Sequence, residues 1–459
     1  MIFAIFLILL ALSVVLYSLN KKYYSFIIYS FFITNGFQLL SNQLINDAPI
    51  SKIPDYGNFF IIFIVIIEAL KSKNFFTIKN DFLAKILVVL LLYIILELFI
   101  TVLFTDESFS YALKVFRQFT FLTLYFIIRK LNVKDLQNAL KFISILTLIT
   151  SLVYLTQIVF KTQILQGQID GIEGNNVDSG TRYRNIPIFI DFFLIISILT
   201  KKQNFTSLFK LGIFLVVLVA SLNRGPIIAL GIVVFAYFLY EKKHIQFVKY
   251  SIISALVLLI SWPIISDRFE GGNSKSDIEG ALSIRNFEDY EVGSTEGTFT
   301  FRMALLLERI KYFEENPQKL LLGVGLLHED SPNTESNFHF VIGADKFDVK
   351  GGRLKQQLDT TDLVWATMLL RLGLVGVVIF IILFIHLFIY FKQNRKLLLG
   401  ASGFLLIAMY LINSFATDIL IRPSSFLIYY LVYAIIKNFK LFKENEISIY
   451  SKKNNFVDN

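Results

Sequence analysis

Residues 363–391 read LVWATMLLRLGLVGVVIFIILFIHLFIYF, an almost continuous apolar stretch. A helix crossing the roughly 30 Å hydrocarbon core of a bilayer needs about 20 such residues. This one is long enough to hold a tilted span or a broken one. Comparable windows recur near 2–19, 23–41, 56–70, 83–104, 108–128, 139–160, 184–200, 205–221, 226–240, 247–265, 398–415 and 424–437. Several of these are short, so the pattern predicts twelve to fourteen spans. The opening MIFAIFLILLALSVVLY lacks a basic leader and a small-residue cleavage site, and reads as a retained helix.

Composition agrees with that reading. Of 459 residues, 55% are hydrophobic and only 17% charged, with 48 Phe and 21 Tyr. Soluble domains carry nearer a quarter of charged residues. The chain is expected to be an all-α, polytopic membrane protein. With no Cys, there is neither a disulfide framework nor a thiol nucleophile. The 4 His (His244, His328, His339, His386) have no metal-ligand spacing, and His328 and His339 read as surface residues. No metal and no cofactor are expected.

Lys and Arg of the short loops alternate along the chain. One set of loops carries 23 of them and the other 6. Positive loops stay cytoplasmic, so the N-terminus is expected outside and the C-terminus inside the cell. One loop is not short. Residues 266–360 carry 11 Lys/Arg against 17 Asp/Glu, a net of −6. The chain is thus divided into spans at 1–265, an extracytoplasmic and partly helical loop domain at 266–360, further spans at 361–437, and a cytoplasmic tail at 438–459. The overall charge of +9 follows from topology, and no nucleic-acid partner is implied.

The expected outer face is poor in cations, and most of those present are Arg, whose planar fork suits phosphate oxygens. Arg182 and Arg184 lie in GTRYRN, Arg224 in SLNRGP and Arg422 in LIRPS. Each could equally anchor a lipid headgroup. Arg224 stands out because Gly225–Pro226 fixes a turn into a helix whose start favours anions. In the loop, FTFRMALLLERIKYFEENPQKLLLGVG predicts a helix over 299–315 ended by Asn316–Pro317, with Arg302 and Arg309 two turns apart on one face. A solvated stripe is the alternative for that pair. The Gly323-Val-Gly325 turn is expected to bring the chain back to the membrane. Asp359 and Asp362 stand at the mouth of the next span, where Asp362 reads as a general base or as an N-cap. Lys114 and Arg117, in SYALKVFRQFTFLTLYF, face a cavity or snorkel to the surface.

Taken in order, these pieces resemble the O-antigen polymerase and O-antigen ligase superfamily of bacterial envelope glycosyltransferases. The resemblance rests on the many spans, SLNRGPIIAL, the late outer loop with Arg302 leading through Pro317 into Gly323–Gly325, and the RLGLVG that follows. It covers roughly 180–385, and the first half only by hydropathy. It implies that Arg224 and Arg302 hold a lipid pyrophosphate. Ligases of this superfamily carry a His-Asn pair 11 residues before the first Gly of that ending; here Asp362-Leu363 stands there. The departure fits a polymerase of O-antigen or capsule repeat units. On this reading Asp362, Arg224 and Arg302 are catalytic, and Arg182, Arg184, Arg309, Arg117, Lys114, Arg422 and Asp359 bind substrate. The implied partners are polyprenyl-pyrophosphate-linked donor and acceptor glycans in the bacterial inner membrane, with a chain-length regulator and a flippase of the same pathway. A ligase, or a non-enzymatic flippase or transporter of the same lipid-linked unit, is the competing reading.

Overall fold

The structure is a computed structural model. It describes residues 2–40, 53–71, 78, 81–166, 169–170, 182–183, 185–200, 204–221, 223–252, 255, 259, 274–290, 298–342, 356–360 and 363–454. Apart from one antiparallel pair of two-residue strands, Ile169–Asp170 with Arg182–Tyr183, its regular structure is helical. In chain order the helices are α1 (Ile2–Ser18), α2 (Lys22–Ile33), α3 (Ile53–Lys71), α4 (Phe82–Phe104), α5 (Phe109–Phe116) and α6 (Leu124–Ile128). A 3-10 turn at Arg117–Thr123 joins the last two. There follow α7 (Val133–Phe160), α8 (Ile190–Leu199), α9 (Phe205–Ala220) and α10 (Arg224–Tyr240). The loop domain contributes α11 (Ser274–Ser283), α12 (Thr298–Glu315) and α13 (Pro332–Asn337), and the chain returns through α14 (Val364–Gln393), α15 (Leu398–Asn413) and α16 (Pro423–Asn454).

Among the described residues, five stretches are long and apolar enough to cross a membrane: α3, α4, Phe109–Ile128, α7 and α14. Shorter apolar helices join them, among them α8, α9 and α15. The expected all-α, multi-span architecture is what the structure has. Side chains divide as a bilayer demands. Leu92, Leu103 and Phe104 of α4 are more than half exposed, as lipid-facing residues of a bundle are. In α16, by contrast, every residue from Ser425 to Ile436 is buried. A helix apolar on all sides belongs in the centre, and the Tyr429 and Tyr430 rings fill that centre with Phe426.

The decisive stretch at 363–391 is indeed broken. Gly373 lies inside α14 with φ 57° and ψ −167°, a conformation open to glycine and costly for other residues. The freed backbone groups are taken up by the Leu320–Gly325 segment. Leu374 N and Val375 N donate to the carbonyls of Leu320 and Leu321 at 3.0 and 3.1 Å. Val324 N and Gly325 N donate to those of Leu370 and Arg371 at 2.8 and 3.1 Å. Tyr93, about three turns inside the end of α4, donates its hydroxyl to Leu372 O. Irregular backbone this deep is stable only where protein satisfies it. The approach also requires glycine, since a Cβ on Gly323 would lie 2.6 Å from Gly373 N.

The bundle has two chemically distinct ends. Phe82 stacks edge-on against His386 of α14 at 4.9 Å, so α4 begins where α14 ends. There the buried Asp81 carboxylate accepts from Tyr125 Oη (2.8 Å) and Lys437 Nζ (2.7 Å), with Arg129 at 3.8 Å. Arg395 pairs with Glu241 at 2.7 Å. At the opposite end α10 and α14 begin and α15 stops.

Candidate active site

That opposite end is assembled from three separate segments. The α10 turn comes first: Asn223 precedes the helix as N-cap, but its side chain makes no capping bond. Gly225 faces Asn413 at the end of α15, and a Cβ there would meet Asn413 Oδ1 at 3.4 Å. Asn413 is buried, and its Nδ2 has no hydrogen-bond partner. Next to it, Ser414 Oγ accepts from Trp365 Nε1 at 2.9 Å, which ties α15 to the first turn of α14. The third segment is α12. Its Ala304 and Leu305 form a small core with Leu363 and Ala366, against which Phe301 and Trp365 pack. Arg302, half-buried on α12, is thereby carried to the same place. From Trp365 an apolar cleft runs between α14 and α15, lined by Ile381, Phe384, Ile385, Phe388 and Leu411.

The structure therefore brings the Arg224 turn, the Arg302 helix and the start of α14 together, although nearly eighty residues separate the two arginines in sequence. Asp362 lies outside the described residues, as does Arg184. The position preceding α14 as N-cap is Leu363 rather than Asp362, and it makes no side-chain cap. Arg182 sits in the short strand pair.

The other expected substrate ligands have partners within the chain. Arg309 differs most from expectation. Its guanidinium is buried and donates to Glu308 at 2.6 Å, to Ile342 O at 3.2 Å and to Gln357 O at 2.9 Å, with Phe340 stacked 4.2 Å away. Burial draws its pKa down to about 10, opposed by Glu308. Burial likewise raises Glu308, against the pull of Arg309 and of the Val341 and Ile342 amides. Arg309 thus clips α12 to the 340s and 350s. The spacing put it on one helical face with Arg302 but could not say what covers that face.

Asp359 is held bidentately by Arg371, Nε and Nη2 at 2.7 and 2.8 Å, while Arg371 Nη1 donates to Leu327 O. Asp359 N in turn donates to Glu329 at 2.9 Å. Arg117 donates to Asp55 at 3.0 Å, Lys114 lies 4.5 Å from the Tyr111 ring, and Arg422 pairs with Asp418 at 2.7 Å. Arg371 and Asn413 are the residues that sequence reading passed over. A cation inside a hydrophobic span is the signal that could have found Arg371, because such a group must face a partner. Asn413 carries no comparable signal. Among the described residues no cluster of His, Asp and Glu could hold a metal ion.

Among known proteins, no curated sequence matches the chain. Residues 209–381 match the family model described as O-antigen ligase, a stretch that runs from α9 through the loop domain into α14. It contains both the Arg224 turn and Arg302. In this region, well under half of the chain, the protein is similar to the O-antigen ligase family.

Proposed function

We propose that the chain is a polysaccharide polymerase that joins polyprenyl-pyrophosphate-linked repeat units at the outer side of the bacterial inner membrane. The observation that carries the reading is the convergence of the Arg224 turn, the Arg302 helix and the mouth of α14 at the head of an apolar cleft. A lipid pyrophosphate has this combination of needs, a dianionic head beside a long hydrocarbon tail. The Lys/Arg-rich loops at the other end support the outward orientation of the site.

The chemistry follows from the groups available. A hydroxyl of the acceptor glycan attacks the anomeric carbon of the donor, and the bond to the pyrophosphate oxygen breaks with the electron pair leaving on phosphate. Negative charge therefore grows on the leaving group. Arg224 and Arg302 stabilise it more in the transition state than in the ground state, without calling on a metal ion. Asp362 accepts the hydroxyl proton. In this reading Arg182, Arg184, Arg117, Lys114, Arg422 and Asp359 serve the glycan and its phosphates. Asp362-Leu363 in place of a ligase-like His-Asn favours polymer growth over transfer of a finished glycan.

Gel analysis of surface polysaccharide in a deletion strain tests the reaction. Collapse of a ladder to one repeat unit is the result expected of a polymerase. Intact lipid-linked polymer with no surface attachment would identify a ligase, and loss of all outward-facing lipid-linked units would identify a flippase. Arg224→Ala and Arg302→Ala should each lower polymer formation about a hundred- to a thousandfold at equal membrane levels. Lys at either position should restore only part, since a point charge lacks the bidentate fork.

A further inference from the structure

We infer that Glu97 is a positioning residue that holds α14 at its break, as the proton donor of a chain running through Tyr93 to the Leu372 carbonyl. The inference stands apart from the proposed reaction. Glu97 lies inside α4, in LLLYIILELFI, and is 1% exposed among apolar neighbours. An ionisable group inside a span faces the protein interior and marks a task it performs there. Tyr93 and Glu97 are four residues apart on one face of the helix, and their side chains are hydrogen-bonded. A tyrosine hydroxyl has one proton to give. In Tyr93 that proton goes to Leu372 O, which can only accept. The bond to Glu97 is therefore made with Glu97 donating, and a carboxyl donates only when it carries a proton.

The surroundings fit a neutral acid. Glu97 Oε1 has no partner, which a protonated carboxyl tolerates far better than a buried carboxylate does. Cations on the neighbouring elements are committed elsewhere. Arg371 of α14 is bonded to Asp359 and Leu327 O. Arg117 of the 3-10 turn pairs with Asp55, and Lys114 of α5 lies over the Tyr111 ring. Beyond Thr101, Glu107 accepts from the Ser108 and His328 amides, and His328 Nδ1 accepts from Asp330 N. The far end of the chain of bonds is where Leu320–Gly325 and Leu370–Val375 exchange their hydrogen bonds. Its near end reaches the same segment, since a Cβ on Gly325 would lie 3.7 Å from Glu97 Oε2. Ionisation reverses the chain: Tyr93 turns its proton to the carboxylate, Leu372 O loses its donor, and a negative charge faces Gly325. The proton on Glu97 thus latches the returning loop to the first part of α14, which carries Trp365 to the candidate site.

The test uses the full-length protein in detergent micelles, followed by backbone hydrogen exchange over 320–325 and 370–375 and by infrared spectroscopy. Glu97→Gln keeps a donor to Tyr93 and cannot ionise, so it calibrates the pH dependence of exchange itself. As pH rises, wild-type exchange in both segments should climb above that of Glu97→Gln by about tenfold, the loss of one buried hydrogen bond. The two should coincide at acid pH. Tyr93→Phe keeps the acid but cuts the chain, and should exchange faster already at acid pH. At neutral pH the wild type should show the carbonyl stretch of a protonated carboxylic acid that Glu97→Gln lacks. Should Glu97→Gln not fold, that band must still vanish from the wild type on alkaline titration, in step with the rise in exchange. Equal spectra, or a band that outlasts the rise, would overturn the proton on Glu97. A ratio of wild-type to Gln exchange that is constant across pH would overturn the latch, and wild-type exchange in Tyr93→Phe would overturn the route through Tyr93.

Discussion

Where α4 begins, the Asp81 carboxylate is closed on Tyr125, Lys437 and Arg129, whereas where α10 begins, the Asn413 amide has no acceptor and Asn223 caps nothing. The two sites are similar in burial and opposite in satisfaction. A carboxylate at the head of α4, ringed by donors from α6 and α16, holds the three helices together. A donor left without acceptor stabilises nothing. The two buried polar groups thus differ in what surrounds them: one is ringed by partners and the other is enclosed without one. In the loop domain Arg309 is engaged by Glu308, Ile342 O and Gln357 O, and Arg302, two turns away on the same helix, is half-buried.

The largest effect expected concerns Asp362. Replacement by Asn keeps its shape and removes proton acceptance, so turnover should fall by roughly 10²–10⁴ while the melting temperature holds. In vitro extension of lipid-linked repeat units across pH is the measurement, and normal turnover with an unchanged pH profile would remove the base from the mechanism. If Asp362 were only a helix cap, Asn would serve about as well and turnover would be nearly unchanged.

Arg371 sharpens the comparison from the other side, since it lies at the open end yet is paired. Arg371→Ala leaves Asp359 and Leu327 O facing an empty place, and breaking such a buried pair typically costs about 3–5 kcal/mol. Thermal denaturation in detergent should register that loss. Leu at both 359 and 371 should recover much of it, because two apolar groups leave no orphan charge. Full stability in Arg371→Ala would move the pair from scaffold to site.

At the closed end, Asp81→Asn should lower stability by about 1–3 kcal/mol with turnover per folded molecule unchanged. A fall in turnover at full stability would break the division between the ends. The smallest effect belongs to Arg422→Gln. Its partner Asp418 is four residues away and Arg422 is 48% exposed, so stability should shift by no more than about 1 kcal/mol. Any role on the glycan would show instead as a rise in apparent KM for the donor.

The sequence was legible where the physics is local. Hydropathy is summed over twenty neighbouring residues, and it marked the spans and the excess length of 363–391. The Arg302 helix was placed within a residue of its observed limits, because Asn316–Pro317 ends it. What hydropathy could not reveal was pairing at a distance. The break at Gly373 needs Leu320–Gly325 to absorb its backbone groups, and the Asp359–Arg371 bond spans the start of α14. Neither leaves a trace in composition or spacing. The candidate site was read in the same divided way. Arg chemistry and a turn signal pointed to Arg224, but the meeting of Gly225 with Asn413 joins segments almost two hundred residues apart.

The exchange of hydrogen bonds between Leu320–Gly325 and Leu370–Val375 also bears on how the protein is made. A membrane segment ordinarily enters the bilayer with its backbone already satisfied. The first part of α14 cannot, since the groups freed around Gly373 are matched by Leu320–Gly325, a segment synthesised earlier. Leu320–Gly325 must therefore fold back onto α14 before this span can settle. Assembly of the final three helices waits on that earlier segment, and a defect at Gly323 would be felt as failed insertion long before it was felt as lost chemistry.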